Sequence, residues 1–172
     1  MNASSSGGRW LSIFLWISVT AWAIGLGAKL FELAVLIPAW AAHPPDSLSL
    51  LPYGPRWPFN PGEFFQPLSA LLVVGSIGAL ITGWRTARSF KRWLWLSVAS
   101  LVLIWAATPT LFWPMIDALY FASTGARPLD EVAASQLANR WILFDWIREA
   151  LIAIGFIASV RAISTKSQAY GA

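Results

Sequence analysis

The sequence predicts an all-α protein: an integral membrane four-helix bundle with both termini on the cytoplasmic side, a Pro- and aromatic-rich outer loop, and a short interfacial helix before the last span. Three observations predict it. The 172 residues are 57% hydrophobic and 12% charged, about half the charge that a soluble domain spreads over its surface. Twelve residues are Trp, whose ring is apolar while its N–H stays wet at a bilayer interface. Four apolar stretches recur, each near or above the roughly 20 residues that cross about 30 Å of hydrocarbon.

Taken in order, residues 1–9 are small and polar and read as a disordered cytoplasmic N-terminus. The transmembrane domain covers 10–163. Its first span runs from about 10 to 40, too long for a signal-peptide core. Residues 41–65 form a proline-rich irregular loop with Tyr, Trp and Phe, folded over the bundle mouth. The second span covers about 67–84, and residues 85–92, RTARSFKR, make a short turn with four positive charges. The third covers about 93–119, with Pro109 and Pro114 expected to kink its far end. Pro128 followed by Asp130 and Glu131 marks a helix start, the interfacial helix that leads into the fourth span at about 141–160. Residues 164–172 are a cytoplasmic tail. No internal repeat stands out.

Orientation follows the bias of Lys and Arg toward the cytoplasm. Arg9, the turn cations Arg85, Arg88, Lys91 and Arg92, and Arg161 and Lys166 lie on one side; Arg56, Arg127 and Arg140 lie on the other. Both long loops then face outward, and the expected location is the bacterial inner membrane. The net charge of +4 is placed beside apolar spans as orientation signals are, so no nucleic acid partner is expected. The lipid bilayer is the first partner, with a lipophilic small molecule, partner membrane subunits or a second copy of the chain as further ones.

The chain has no Cys and one His, His43. That removes disulfide relays, thiolate metal sites, iron–sulfur clusters and bis-His haem within one copy. A phosphate loop, a nucleophile elbow and a nucleotide fingerprint are also absent. No metal and no cofactor is predicted.

Ionisable groups inside spans are costly and face a bundle interior, a cavity or one another. Lys29 and Glu32 lie three apart in the outer half of span one, with Gly25 on the same face. Asp117 lies near the outer end of span three. Asp145, Arg148 and Glu149 share one face at the start of span four. Six ionisable groups, two cations and four carboxylates, thus fall at one depth, and the excess of carboxylates leaves room for a proton or an exchangeable cation. One reading is an ion-pair network that pins helices. The other is an outward-facing polar pocket for a substrate, a quinone or a proton relay. His43 is either a solvated loop histidine or an imidazole poised over that pocket. Trp40, Trp57, Trp113, Trp141 and Trp146 fall near the outer boundary as interface anchors, one or two of them lining the pocket. Ser69, Ser76 and Thr82 read as packing residues beside Gly75, Gly78 and Gly83.

The segments GLGAKLFELAVLIPAW and PTLFWPMIDALYFASTGARPLDEVAASQLANRWILFDWIREALIAIGFIA resemble the DUF1772 family, small four-helix membrane proteins some of which are related to fungal anthrone oxygenases. The resemblance rests on a small-residue-rich first helix ending in Pro38, on Pro114 ahead of a polar position, and on a last span opening with Trp141, Asp145 and Arg148. It differs at Met115 to Asp117, where relatives carry Asn, and at Asp145, where they carry His or Asn. It implies a cofactor-independent oxidoreductase acting on a lipophilic aromatic or quinone. Asp145 or Glu32 would take the proton, and Arg148 and Lys29 would stabilise the enolate or phenolate. Two other functions fit the same residues: a small proton-coupled transporter with Glu32 as its titrating carboxylate, and an accessory subunit of a larger electron-transfer or pigment complex.

Overall fold

The computed structural model describes residues 3–54 and 57–170, with side chains for 7–54 and 57–166. Arg56, counted above on the outer side, lies outside the described residues. All regular structure among them is helical: α1 Ala3–Phe31, α2 Ile37–Trp40, α3 Pro61–Thr82, α4 Arg88–Ala107, α5 Trp113–Ser123 and α6 Glu131–Tyr170. A π turn, Glu32–Leu36, joins α1 to α2, and a second, Thr108–Phe112, joins α4 to α5. Four helical rods result, over 3–40, 61–82, 88–123 and 131–170. Three stretches are long and apolar enough to cross a membrane: Gly7–Trp40, Pro61–Thr82 and Arg88–Ser123, of 34, 22 and 36 residues.

The π turns follow from the prolines. A proline lacks the N–H of the α-helical ladder, and its ring collides with the carbonyl four residues earlier. Immediately before Pro38, the Ile37 N–H reaches back to the Glu32 carbonyl, five residues away. Immediately before Pro114, the Trp113 N–H reaches the Thr108 carbonyl in the same way. Each rod therefore widens for one turn where a straight α-helix would clash. The kink expected at Pro109 and Pro114 takes this form.

Two starts differ from the expected spans. α3 begins at Pro61, not near Pro67, because Asn60 and Glu63 cap it reciprocally: the Asn60 N–H donates to Glu63 Oε2 (3.0 Å) and the Glu63 N–H to Asn60 Oδ1 (3.1 Å). Pro61 takes the first helical position, where no N–H is needed. At the other start, the Ala133 N–H donates to Asp130 Oδ1 at 2.7 Å, as expected from the sequence. The helix opened there then runs unbroken to Tyr170, so the interfacial helix is the first part of α6 and not a separate element. α1 likewise begins at Ala3, within the stretch expected to be disordered.

The chain divides into two compact units. The first comprises the described parts of Met1–Leu26, Phe65–Leu103 and Ala150–Ala172. Its apolar core includes Leu11, Leu15, Ala79, Phe90, Leu94 and Ala162. At its centre four buried hydroxyls, one from each rod, close a ring: Ser18 to Ser76 (3.0 Å), Ser76 to Ser97 (3.4 Å), Ser97 to Ser159 (3.0 Å) and Ser159 to Ser18 (3.0 Å). The Trp22 indole N–H donates into it at Ser97 Oγ, 3.0 Å away. Each hydroxyl can give one hydrogen bond and receive one, so every member is satisfied without water. Gly75 lets α1 and α3 close around the ring, since a Cβ there would lie 2.6 Å from the Ser18 backbone nitrogen.

The second unit comprises Gly27–Phe64 and Ile104–Glu149. Its core is built from Leu33, Ile37, Trp40, Phe112, Leu119 and Trp141, joined by Leu48 and Leu51 of the proline-rich loop. The loop is therefore part of this core. A 3₁₀ turn, Asp46–Leu50, lies in it, and Ser47 Oγ ties it back to the Trp40 carbonyl at 2.7 Å. The Pro44–Pro45 bond is cis.

Candidate functional site

The second unit also holds the charged residues singled out in the sequence. Lys29 lies in the last turn of α1, and the π turn opens on Glu32; the two side chains are on one face, and Lys29 Nζ lies 2.6 Å from Glu32 Oε2. On α6, Asp145 and Arg148 are one turn apart and form a close ion pair through Asp145 Oδ1 and the Arg148 guanidinium. Lys29 joins the two pairs, its Nζ 2.9 Å from Asp145 Oδ2. The chain of charge is thus Glu32–Lys29–Asp145–Arg148. Lys29 is 2% exposed and Asp145 0%, so these are desolvated pairs, in which the loss of either partner strands a charge.

Aromatic rings complete the site. The Arg148 guanidinium lies over the Phe112 ring, 3.8 Å from its centroid, and 5.8 Å from that of Trp141. Phe112 and Trp141 meet edge to face at 5.2 Å, and Trp40 meets Trp141 at 6.5 Å. Arg148 is therefore held on one side by a carboxylate and on the other by a ring face. Phe112 reaches this position as the last residue of the second π turn; Glu32 is the first of the other. Both π turns, a form that recurs at functional sites, present a side chain to the same cluster.

Glu149 differs from the rest. It is 5% exposed, yet neither carboxylate oxygen has a hydrogen-bond partner among the described residues. The Trp141 indole nitrogen and Arg148 Nε are likewise buried without one. An acceptor and two donors therefore stand unsatisfied in one unit, where a buried polar group without a partner is costly. No protein-family model, curated protein or solved structure matches the chain. The chemistry of the site accordingly stands on its own residues.

Five of the candidates read from the sequence, Lys29, Glu32, Asp145, Arg148 and Glu149, are brought together. Three are not. Asp117 is exposed, on the side of α5 opposite to the buried Met115, Ile116 and Leu119. His43 is exposed in the loop, its backbone N–H donating to Ser47 Oγ at 3.0 Å. Trp146 is exposed as well. Depth along a helix is legible in sequence, but which way a residue faces depends on rotation. A π turn adds one residue to the turn, which rotates everything beyond it by about 100°; Asp117 lies beyond such a turn.

Of the Trp residues expected mostly as interface anchors, with one or two lining the pocket, Trp40 and Trp141 are buried, Trp141 beside Arg148, while Trp57 and Trp113 are exposed. Tyr53 was not foreseen at all. It sits in the loop two residues beyond the buried Leu51, and burial pushes its phenol well above the ordinary 10.0, with Glu32 and Asp145 acting in the same direction and Arg148 against them. Those influences place it within electrostatic reach of the cluster. The signal available in the sequence was the apolar run Leu50-Leu51-Pro52 before it, which marks a loop that enters a core. Among the described residues no group of three His, Cys, Asp or Glu side chains is arranged to hold a metal ion.

Proposed function

We propose that the protein is an integral membrane protein of four spans, α6 being the fourth, with both termini cytoplasmic and the cluster in the outer half of the bilayer. In a bacterium this is the inner membrane. Support comes from the three long apolar stretches and from the distribution of Lys and Arg, which favours this orientation.

We infer further that the cluster binds a lipophilic aromatic or quinone-type molecule and exchanges a proton with it. The observation that carries this is Glu149: a buried carboxyl with both oxygens free of hydrogen bonds, beside carboxylates that are already taken. Asp145 and Glu32 are held by Lys29 and Arg148, so the proton-accepting role passes from them to Glu149. The Trp141 N–H and Arg148 Nε are the donors available to an oxygen of the ligand. In the oxidoreductase form of this reading, which the resemblance to DUF1772 proteins also suggests, Glu149 removes a proton from an activated ring position. The carbanion combines with dioxygen, and the resulting hydroperoxide loses water to leave a quinone carbonyl. A proton-coupled transporter would use the same group.

The test is turnover of a hydroxyanthrone under dioxygen, followed by absorbance with the protein in lipid nanodiscs. The expected result is a Glu149→Gln rate lower by about a hundredfold or more, the usual contribution of a general base. Equal rates in the two proteins would overturn the catalytic role. A second reading, an accessory subunit of a larger membrane complex, is favoured by the exposed Trp16, Trp84, Trp95, Trp105 and Trp113. Co-purification of a fixed partner from native membranes in mild detergent would support it.

A further inference from the structure

The first unit carries no Asp or Glu in any of its three segments, yet it contains seven of the twelve Lys and Arg residues. Four of those lie within residues 85–92, in and just after the turn between α3 and α4. Arg85, Arg88 and Arg92 are exposed, and none of the four has an ion-pair partner among the described residues.

The surroundings of this turn are arranged for an anion with an apolar body. An open pocket of about 560 Å³ is lined by Ile81, Thr82, Trp84 and Arg85. Ile81 and Trp84 are among the most exposed large apolar side chains of the chain, at 68% and 55%. Lys91 Nζ lies 5.9 Å from the Trp84 ring centroid and the Arg92 guanidinium 4.9 Å from that of Trp93, while Trp84 and Trp95 meet at 5.9 Å. Rings thus hold two of the cations in place, which lowers the entropy lost when they engage a ligand. α4 opens at Arg88 with no acidic side chain in its first turn, leaving the positive end of its dipole to an incoming anion.

We propose that the α3–α4 turn is a binding site for one anionic phospholipid, its phosphodiester between Arg85 and Arg88 and an acyl chain along Ile81 and Trp84. A lipid suits the site better than free phosphate because two of the four lining residues, Ile81 and Trp84, are large and apolar, and Ile81 belongs to a stretch long enough to cross a membrane. This site is independent of the charged cluster and of any reaction there.

The experiment is lipid binding to the purified full chain in a neutral detergent, read by native mass spectrometry and by the shift in Tm. Phosphatidylglycerol should bind and raise Tm, whereas phosphatidylcholine and inorganic phosphate at the same concentration should not. Arg85→Gln with Arg88→Gln should weaken phosphatidylglycerol binding roughly thirty-fold, about fivefold for each charge near a lipid surface. Binding to the unmodified protein should also weaken steeply as salt rises, a readout that needs no variant. Equal binding of the two lipids, a shift reproduced by inorganic phosphate, an affinity insensitive to salt, or undiminished binding by the folded double variant would each overturn the proposal.

Discussion

Lys29 and Asp145 form an ion pair between residues distant in the chain, with Nζ 2.9 Å from Oδ2; the pairs Lys29–Glu32 and Asp145–Arg148 are local, three residues apart. Lys29 therefore holds two carboxylates, one on its own rod and one on α6. Replacing it with Met leaves Glu32 buried without its cation and Asp145 with Arg148 alone. Stability should fall by about 3–5 kcal/mol, the usual result of breaking a buried pair from one side. Lys29→Met with Asp145→Asn should cost less than the two single changes together. Chemical unfolding in detergent, arranged as a double-mutant cycle, measures this coupling.

The serine ring predicts a different pattern. Removing one hydroxyl, as in Ser18→Ala, opens the ring and leaves Ser76 and Ser159 each short of a partner. A loss of about 0.6–1.7 kcal/mol is expected, the range for hydrogen bonds between membrane helices. Replacing all four serines by alanine removes the hydroxyls together with their bonds and leaves only the Trp22 N–H without its acceptor, so the total should fall well below four times the single loss. Additive losses on thermal unfolding would show that the hydroxyls act separately.

Gly155 faces the Trp22 indole so closely that an added Cβ would lie 2.5 Å from the ring. Trp22 is itself fixed by its bond to Ser97, so the ring cannot simply withdraw. Gly155→Ala should destabilise by about 1–3 kcal/mol, as overpacking does. Trp22→Phe in the same chain should recover part of that loss, which comparison of the three Tm values would reveal.

Tyr53 predicts an alkaline effect. Its phenol ionises above the ordinary 10.0 in the folded protein because of burial, reinforced by Glu32 and Asp145 and opposed by Arg148. Once pH passes about 10, the unfolded chain releases this proton and the folded one keeps it. Stability from this group is complete below that pH and is lost as pH climbs toward the folded value. Tyr53→Phe should flatten the fall in Tm above about pH 10, and ultraviolet titration should show its phenol ionising after that of an exposed tyrosine.

How much of this was legible in the sequence depends on the physical scale of each feature. The apolar stretches and their approximate limits could be read because hydrophobicity sums over some 20 residues. The pairing of Lys29 with Glu32 and of Asp145 with Arg148 could be read because i, i+3 spacing needs only a helix. The Asn60–Glu63 capping box was present in the residues and marks a helix start ahead of Pro67. The position of Phe112 and the exposure of Asp117 were not readable, since each depends on rotation through a π turn, and neither was the join between Lys29 and Asp145, which depends on how two rods distant in the chain pack. Neither was the serine ring: Ser18, Ser97 and Ser159 are single polar residues in three different rods, and nothing local marks them as neighbours.

The ring also has a history in time. Its members are made in the order Ser18, Ser76, Ser97 and Ser159, and the last two are 62 residues apart. At about 5–20 residues per second of synthesis, three hydroxyls wait roughly 3–12 s for the fourth. Until α6 is made, Ser18 and Ser97 each lack one of their hydrogen-bond partners. The ring can therefore close only after a serine from each of the four rods has been synthesised.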